Sequence, residues 1–246
     1  MIKSYKNNYP VTNLYKEMST KSELMTQMIY GDQFLIIRKL GNWLKIKIKE
    51  DGYIGFIKNR KYILYTQNTH KISVISANIY KNPNKKKVIT KLTYGSRIKL
   101  RDRYLEFVQF ENNWIHKKNI KSINFEDKHI FSNIKIFKNV KYKWGGKSFM
   151  GLDCSALIQL FFNFNNKYCP RDAKDQVKYF RKNVSLNNIK KHNIIFWRGH
   201  VAVAISKMNL IHAYGPAKKT VIMGINQTIR VIKKTAKLKI LSIKKI

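Results

Sequence analysis

The first part of the chain alternates apolar and polar residues in short runs that are separated by turn signals. Residues 43–48, WLKIKI, follow a Gly-Asn turn with a period of two, which is typical of a half-buried strand. Asp51-Gly52 indicates a hairpin, and residues 53–57, YIGFI, predict the strand after it. Short strands joined by tight turns predict a small all-β barrel.

The same pattern returns further along the chain. Tyr30-Gly31 is echoed by Tyr94-Gly95, and residues 13–16, NLYK, are echoed by residues 78–81, NIYK. Trp114-Ile115-His116 stands where the first copy has Tyr53-Ile54-Gly55. A repeat of this length indicates a duplicated domain rather than a solenoid. We therefore predict two small all-β barrels, over residues 1–69 and 70–125.

The pattern changes after about residue 126. Residues 154–165 carry Leu157, Leu160, Phe161 and Phe164 at helical spacing behind Asp153 as a candidate cap. Residues 172–182 predict a second helix. Three β-rich runs follow, at residues 194–197, 201–205 and 210–213. Helices followed by an antiparallel sheet indicate an α+β domain over residues 126–246.

Charge is the unusual feature of the composition. Lys and Arg number 50 against 13 Asp and Glu, a net charge of +37. This excess favours binding to polyanions such as nucleic acid, anionic membrane surfaces or anionic wall polymers. A genome rich in A and T, which enriches Lys, Ile and Asn, explains it equally well. No base-reading motif accompanies the charge, so we expect no nucleic-acid partner.

Other features narrow the location and the chemistry. Two cysteines are too few for a disulfide framework, and no Cys or His spacing is typical of zinc. The apolar runs are too short for a membrane span. The polar N-terminal residues 1–8 lack the apolar core of a secretory signal, so we expect a cytoplasmic protein unless another export route operates. Nothing in the sequence indicates an oligomeric state.

Cys154 opens the predicted helix, and this position suits a nucleophile. The helix dipole and the unpaired N–H groups stabilise a thiolate, which predicts a pKa lower than that of a free cysteine. His200 and His212 flank the turn at residues 206–209, so adjacent strands bring them together. No Asp or Glu lies in residues 190–246 as a third metal ligand. A Cys–His–His nucleophilic site is one interpretation, and a structural thiol with inert histidines is the other.

Residues 142–157, YKWGGKSFMGLDCSAL, resemble the nucleophile motif of the NlpC-type murein peptidases, which are papain-like cysteine peptidases. Residues 170–173 with Gln176 resemble the loop and helix that follow this motif. Gly199-His200-Val201-Ala202 and Ile211-His212-Ala213 resemble the histidine strands. The resemblance covers about residues 130–225. The two predicted barrels resemble bacterial SH3-like domains, although the second lacks the glycine-rich end of their pattern.

The resemblance implies a role for each matching residue. Cys154 would be the nucleophile, His200 the general base and His212 the residue that orients His200. The implied substrate-binding residues are Tyr142 beside the cysteine, Asp153 at the free amine of the peptide, Ser155 in the same pocket and Arg171 at its border. The implied activity is hydrolysis of γ-D-glutamyl–diamino acid bonds in murein-derived peptides. Short peptides with a free N-terminal L-Ala are the expected substrates, and no metal or cofactor is implied.

Three positions depart from the pattern of these peptidases. Ala156 stands where Gly is usual, Ala173 replaces a common Ser, and His192-Asn193 stands where Gly-Asp is frequent. The loss of the Ser leaves the substrate specificity undetermined, but it does not affect the expected triad. Cys169 matches no position with a role, and Trp144 with Gly145-Gly146 is expected to shape the turn. Two alternatives stay open: a non-catalytic protein that binds walls or surfaces through its barrels, and a Cys–His acyltransferase.

Overall fold

The amino-terminal unit is an antiparallel β-sheet whose inner face is apolar. The structure is a computed structural model that describes residues 3–246. Leu14, Phe34, Ile46 and Ile57 are fully buried in the core of this unit. Its strands are β1 Ser4–Lys6, β2 Val11–Tyr15, β3 Leu24–Ile29, β4 Gln33–Leu40, β5 Trp43–Ile48, β6 Ile54–Lys58 and β7 Ile63–Leu64. They lie in the order β3-β2-β6-β5-β4-β1-β7, and the hairpin predicted at Asp51-Gly52 joins β5 to β6.

The second unit repeats the strand order of the first. Its strands are β8 His70–Ile72, β9 Ser76–Tyr80, β10 Val88–Thr93, β11 Arg97–Ile98, β12 Leu100–Tyr104, β13 Phe107–Phe110, β14 Asn113–His116 and β15 Ile120–Ser122. The order β10-β9-β14-β13-β12 corresponds to β3-β2-β6-β5-β4 of the first unit, and β11-β8-β15 form a separate small sheet. The repeat read from the sequence is therefore visible in the topology.

The third unit is an α+β layer structure built on a six-stranded sheet. It contains β16 Lys147–Ser148, β17 Gly151–Leu152, α1 Cys154–Phe164, α2 Ala173–Tyr179, β18 Lys182–Asn183, β19 Ile194–Trp197, β20 His200–Ala204, β21 Asn209–Tyr214, β22 Lys219–Gly224, α3 Ile225–Ala236 and β23 Ile240–Lys245. The sheet order is β18-β23-β19-β20-β21-β22. Helix α1 packs on one face of this sheet, and α3 packs on the other.

The carboxyl-terminal part of this unit differs from the prediction of helices before an antiparallel sheet. Helix α3 follows the sheet instead of preceding it, and its buried residues Ile225 and Ile232 lie two turns apart. Five lysines and arginines between residues 230 and 239 mask this sparse apolar stripe in the sequence. The second predicted helix, 172–182, is shorter and ends at Tyr179. No helix described within residues 3–246 has the length and apolar character needed to cross a membrane.

The three units pack tightly against one another. The backbone N–H of Arg97 in the second unit donates to the carbonyl of Tyr30 in the first, at 2.8 Å. A Cβ atom on the adjacent Gly31, where φ is +89°, would lie 2.1 Å from the Arg97 carbonyl oxygen, so only glycine fits there. The buried Lys147 ammonium lies 3.4 Å from Asp32 and joins the first unit to the third. These contacts fix the first unit beside the start of α1.

Candidate active site

Cys154 is the first residue of α1, and its neighbour Asp153 caps the helix. One Asp153 oxygen, Oδ1, accepts from the backbone N–H of Ala156 at 2.8 Å. The helix is buried along nearly its whole length, which places the thiol at the end of a rigid element. The backbone N–H groups of Val201 and Ser155 lie close enough to the Cys154 sulfur to lower its pKa. The start of α1 therefore lies against the start of β20, where His200 is located.

The pKa of the thiol is higher than the sequence led us to expect. Burial raises the pKa of Cys154 to about 12, and the charge of Asp153 acts in the same direction. The N–H groups of Val201 and Ser155 lower the pKa, but they do not outweigh burial. The prediction of a lowered pKa was therefore wrong, because the sequence does not show how deeply this helix start is buried. The free site holds a thiol rather than a thiolate at neutral pH.

His200 and His212 form a hydrogen-bonded pair on adjacent strands. Nε2 of His200 lies 2.8 Å from Nδ1 of His212. The register pairs Val203 with Ile211, so β20 and β21 form the predicted hairpin. The ring of Tyr214 stacks on that of His212 with centroids 4.7 Å apart. Burial lowers the pKa of His200 to about 4 and that of His212 to about 3. Both rings are neutral at pH 7.

This pair has one proton arrangement that suits a base. Nε2 of His200 is occupied by His212, so Nδ1 is the nitrogen left to accept a proton from a nucleophile. Nδ1 accepts only when His200 carries its hydrogen on Nε2 and donates it to Nδ1 of His212. His212 then carries its own hydrogen on Nε2, an atom that is buried and has no partner among the described residues. The second histidine can thus fix the tautomer of the first.

Asp153, Ser155 and Arg171 form a buried network beside the thiol. The Arg171 guanidinium donates to Asp153 Oδ2 at 2.6 Å, to Asp153 Oδ1 at 3.0 Å and to Ser155 Oγ at 2.9 Å. Asp153 also accepts from Ser155 Oγ and from the backbone N–H of Gly145. The Asp153 carboxylate therefore already has several donors. Arg171 is only 3% exposed and also binds Thr26 of the first unit, so it supports the pocket from behind.

A pocket of about 360 Å³ opens next to Cys154. Tyr142, Asp153, Cys154 and Ser155 line it, whereas His200, His212 and Arg171 lie outside its lining. Burial raises the pKa of Tyr142 to about 12, and ionisation of Cys154 and the charge of Asp153 act in the same direction. The Tyr142 hydroxyl therefore stays protonated and can donate a hydrogen bond. The first unit closes the pocket with Lys16, Glu23, Met25 and Tyr53.

Several pocket residues were not predicted from the sequence. The Trp144 indole N–H donates to Glu23 at 3.2 Å, so this residue lines the pocket in addition to shaping the turn. The Tyr53 hydroxyl donates to Asp172 at 3.0 Å across the boundary between the first and third units. Each pair joins residues more than 100 positions apart. No local pattern marks such pairs, because they exist only once the units pack together.

A thiol at a helix start that packs against the strand of a hydrogen-bonded histidine pair is the arrangement of a cysteine peptidase site, and the comparisons agree. Residues 139–235 match the model of the NlpC/P60 family, and residues 14–61 match that of the bacterial dipeptidyl-peptidase Sh3 domain. The chain therefore carries an NlpC/P60 cysteine peptidase domain preceded by a bacterial SH3 domain. Within residues 3–246, no cluster of three or more His, Cys, Asp or Glu could hold a metal ion.

Two relatives match most of the chain. Dipeptidyl-peptidase 6 of Lysinibacillus sphaericus is 24% identical over 234 residues, which cover 82% of this chain and 84% of the relative. Gamma-D-glutamyl-L-lysine dipeptidyl-peptidase of Bacillus subtilis strain 168 is 25% identical over 238 residues, which cover 86% and 79% of the two chains.

Solved structures match the whole fold. An NlpC/P60 family protein from Bacillus cereus has a TM-score of 0.83 at 18% identity, and the match covers 98% of this chain and 99% of the other. An NlpC/P60 endopeptidase from Photobacterium damselae subsp. piscicida has a TM-score of 0.63 at 13% identity, with 98% and 70% covered. The arrangement of the three units is thus found in other proteins of this fold.

Proposed function

We propose that the protein is a cysteine dipeptidyl-peptidase that cleaves γ-D-glutamyl–diamino acid bonds in short cell-wall peptides. The observation that carries this proposal is the closed pocket beside Cys154. Its volume of about 360 Å³ is near the lower end of ligand pockets, which range over roughly 300–1,000 Å³. The pocket residues of the first unit leave room for a short acyl portion of the substrate, the part before the cleaved bond. They would block a longer chain attached to that portion. The name of the Bacillus subtilis relative agrees with this substrate class, and that of the Lysinibacillus sphaericus relative agrees with a dipeptidyl-peptidase.

The reaction begins with a neutral thiol and a neutral imidazole. As the Cys154 sulfur attacks the γ-carbonyl carbon, the thiol proton passes to Nδ1 of His200. His212 accepts the Nε2–H of His200 and stabilises the imidazolium that forms. Backbone N–H groups at the start of α1 and the Tyr142 hydroxyl are the donors available to the oxyanion. His200 then protonates the leaving amine and activates the water that hydrolyses the thioester.

The free amine of the substrate requires an acceptor in the pocket. We predicted Asp153 for this role, but five hydrogen bonds from Gly145, Ser155, Ala156 and Arg171 already occupy its oxygens. Glu23 and Asp172 line the same pocket with fewer donors. We therefore propose that these two carboxylates meet the ammonium group, and that Asp153 holds the helix start and Arg171 in place.

Mass spectrometry of L-Ala-γ-D-Glu-diaminopimelate digests tests the proposal. We expect release of L-Ala-γ-D-Glu by the parent chain and none by Cys154→Ala. Cys169→Ala is the matched control: Cys169 is fully buried but does not line the pocket, so that variant keeps its activity. Turnover by a correctly folded Cys154→Ala protein, or loss of turnover in both variants, would contradict the proposal. Incubation with acyl donors and amines separates hydrolysis from acyl transfer.

Acetylation of the substrate amine tests the carboxylate contact. Removing the positive charge should lower kcat/KM for the parent chain by about tenfold or more, which corresponds to about 1.4 kcal/mol. Glu23→Gln should lose most of this preference while its kcat on the acetylated peptide changes little. Equal cleavage of both peptides by the parent chain would exclude a free-amine subsite.

Three further features of the protein stay predictions. We propose that both β units are SH3-like, because they share one strand order although only the first matches a domain model. We place the domain boundaries at residues 1–69, 70–125 and 126–246. A cytoplasmic location is tested by fractionating cells that express the full chain.

A further inference from the structure

A groove of about 1020 Å³ in the third unit lies away from Cys154. Four segments line it: residues 128–130, Lys167 after α1, residues 183–193, and the end of β23. Cys154 begins α1 and Lys167 follows its end, so the 11-residue helix separates the two sites by roughly 16 Å. The groove shares no lining residue with the catalytic pocket.

The lining of this groove is strongly cationic. It includes five exposed lysines and, among the residues that the structure describes, no Asp or Glu side chain: Lys128, Lys167, Lys190, Lys191 and Lys245. Of these five, Lys167 is the one with a carboxylate partner within residues 3–246, Glu126 at 3.9 Å. Lysines from four separate segments converge here, and four of the five have no carboxylate side-chain partner within residues 3–246, which suits an anionic ligand with several charges.

One residue that lines the groove has a left-handed backbone conformation. His192 has a φ of +74°, a left-handed conformation that favours glycine and costs a residue with a Cβ atom free energy. Its ring lies 5.2 Å from that of His129, and its Nε2 atom is buried without a hydrogen-bond partner. His192 is half-buried and lines the groove, so its accessible atoms can contact a ligand there.

We propose that this groove binds a polyol phosphate chain, the type of anionic polymer found in bacterial walls. The lysines would pair with its phosphates, and the exposed Ser185 and Asn188 would bind its hydroxyl groups. No Phe, Tyr or Trp is found among the lining residues described, so the groove offers nucleic-acid bases the two rings of His129 and His192 and no larger stacking platform. The groove itself does not depend on the proposed peptidase function, but the choice of a wall polymer does. Wall binding requires export, so it stands against the predicted cytoplasmic location.

Fluorescence anisotropy with labelled poly(glycerol phosphate) and the full chain tests the proposal. Lys190→Gln/Lys191→Gln should weaken binding about tenfold and reduce the slope of log K against log salt by about 1.4, at about 0.7 per phosphate contact. The matched control is Lys233→Gln/Lys234→Gln, an equally exposed neighbouring pair on α3. Binding by this control should change less than twofold. Equal losses in both double variants would show attraction to net charge alone and overturn the proposal.

Three further measurements sharpen the result. His192→Gly should weaken polymer binding at least threefold without lowering the unfolding midpoint, because glycine tolerates the backbone at residue 192. Unchanged binding in this variant would exclude the histidine from the site. Single-stranded DNA of equal charge should bind more weakly than the polyol phosphate, and equal or tighter binding would overturn the choice of ligand. Cys154→Ala should bind the polymer normally, which separates failure of this proposal from failure of the peptidase assignment.

Discussion

The Cys154 thiol lies at the amino-terminal end of a helix and nevertheless has a raised pKa. Burial raises it to about 12, and burial also lowers the pKa of His200 to about 4. A preformed thiolate–imidazolium pair is therefore disfavoured in the free protein, because both charges would be buried together. The thiol must lose its proton as it attacks, which makes the position of the His200 ring decisive.

The pH dependence of activity should reflect the lowered pKa of His200. The acid limb of kcat/KM reports the base of the free enzyme, so activity should persist to about pH 5 and be half lost near pH 4. Unfolded chains bind a proton near pH 6.5, whereas the folded site binds it only near pH 4. The free energy of unfolding therefore falls as the pH is lowered from about 6.5 to about 4. Each low-pH sample should therefore be returned to pH 7 to show that activity recovers. Half-loss near pH 6.5 would contradict this assignment.

At the scale of elements, Arg171 links three parts of the site. It precedes α2, pairs with the cap of α1 through Asp153, and binds Thr26 on β3. Asp153 and Arg171 are both buried, so either one alone would be an uncompensated charge. The ends of the two helices and the edge of the first unit are thus held by one ion pair.

Removing the guanidinium should destabilise the protein strongly. We expect Arg171→Met to lower the free energy of unfolding by about 3–5 kcal/mol, because it leaves the Asp153 carboxylate buried without its partner. Urea denaturation followed by fluorescence measures the change. Adding Asp153→Asn should recover part of the loss, and Lys178→Met on the exposed face of α2 should cost less than about 0.5 kcal/mol. If Arg171→Met lowered the free energy of unfolding no more than Lys178→Met does, the Arg171–Asp153 pair would contribute little to stability.

The elements that the sequence could predict are those with local signals. The periodic run after Asp153 marks α1, and the Gly-Asn and Asp-Gly turns mark the hairpin strands of the first unit. The two histidines were placed together because one short turn separates their strands. Glu23 and Tyr53 could not be predicted as pocket residues, because they reach Trp144 and Asp172 only through the packing of the first unit on the third. The pKa of Cys154 and the buried position of Arg171 depend on that packing too.

At the scale of the whole molecule, charged residues of all three units meet at one buried junction. Glu50 of the first unit lies 3.1 Å from Arg97 of the second, and Arg97 also donates to the carbonyl of Asn163 on α1. Asp32 lies beside Lys147 in the same junction. Burial, followed by the charge of Asp32, raises the pKa of Glu50 to about 7, although Arg97 acts in the opposite direction. We therefore expect the stability of this junction to depend on the protonation of Glu50.

This junction should make stability fall as the pH rises through neutrality. Folded Glu50 keeps its proton up to about pH 7, whereas the unfolded residue loses it near pH 4.5. The free energy of unfolding therefore falls as the pH rises from about 4.5 to about 7. Glu50→Gln cannot ionise, so relative to the parent chain it should gain about 1–3 kcal/mol between pH 5 and pH 8. Urea denaturation at both pH values measures the gain. Glu106→Gln, which alters an exposed carboxylate paired with Lys117, should show no such gain. Parallel stability curves for Glu50→Gln and the parent chain would mean that Glu50 is ionised throughout and that Arg97 outweighs its burial.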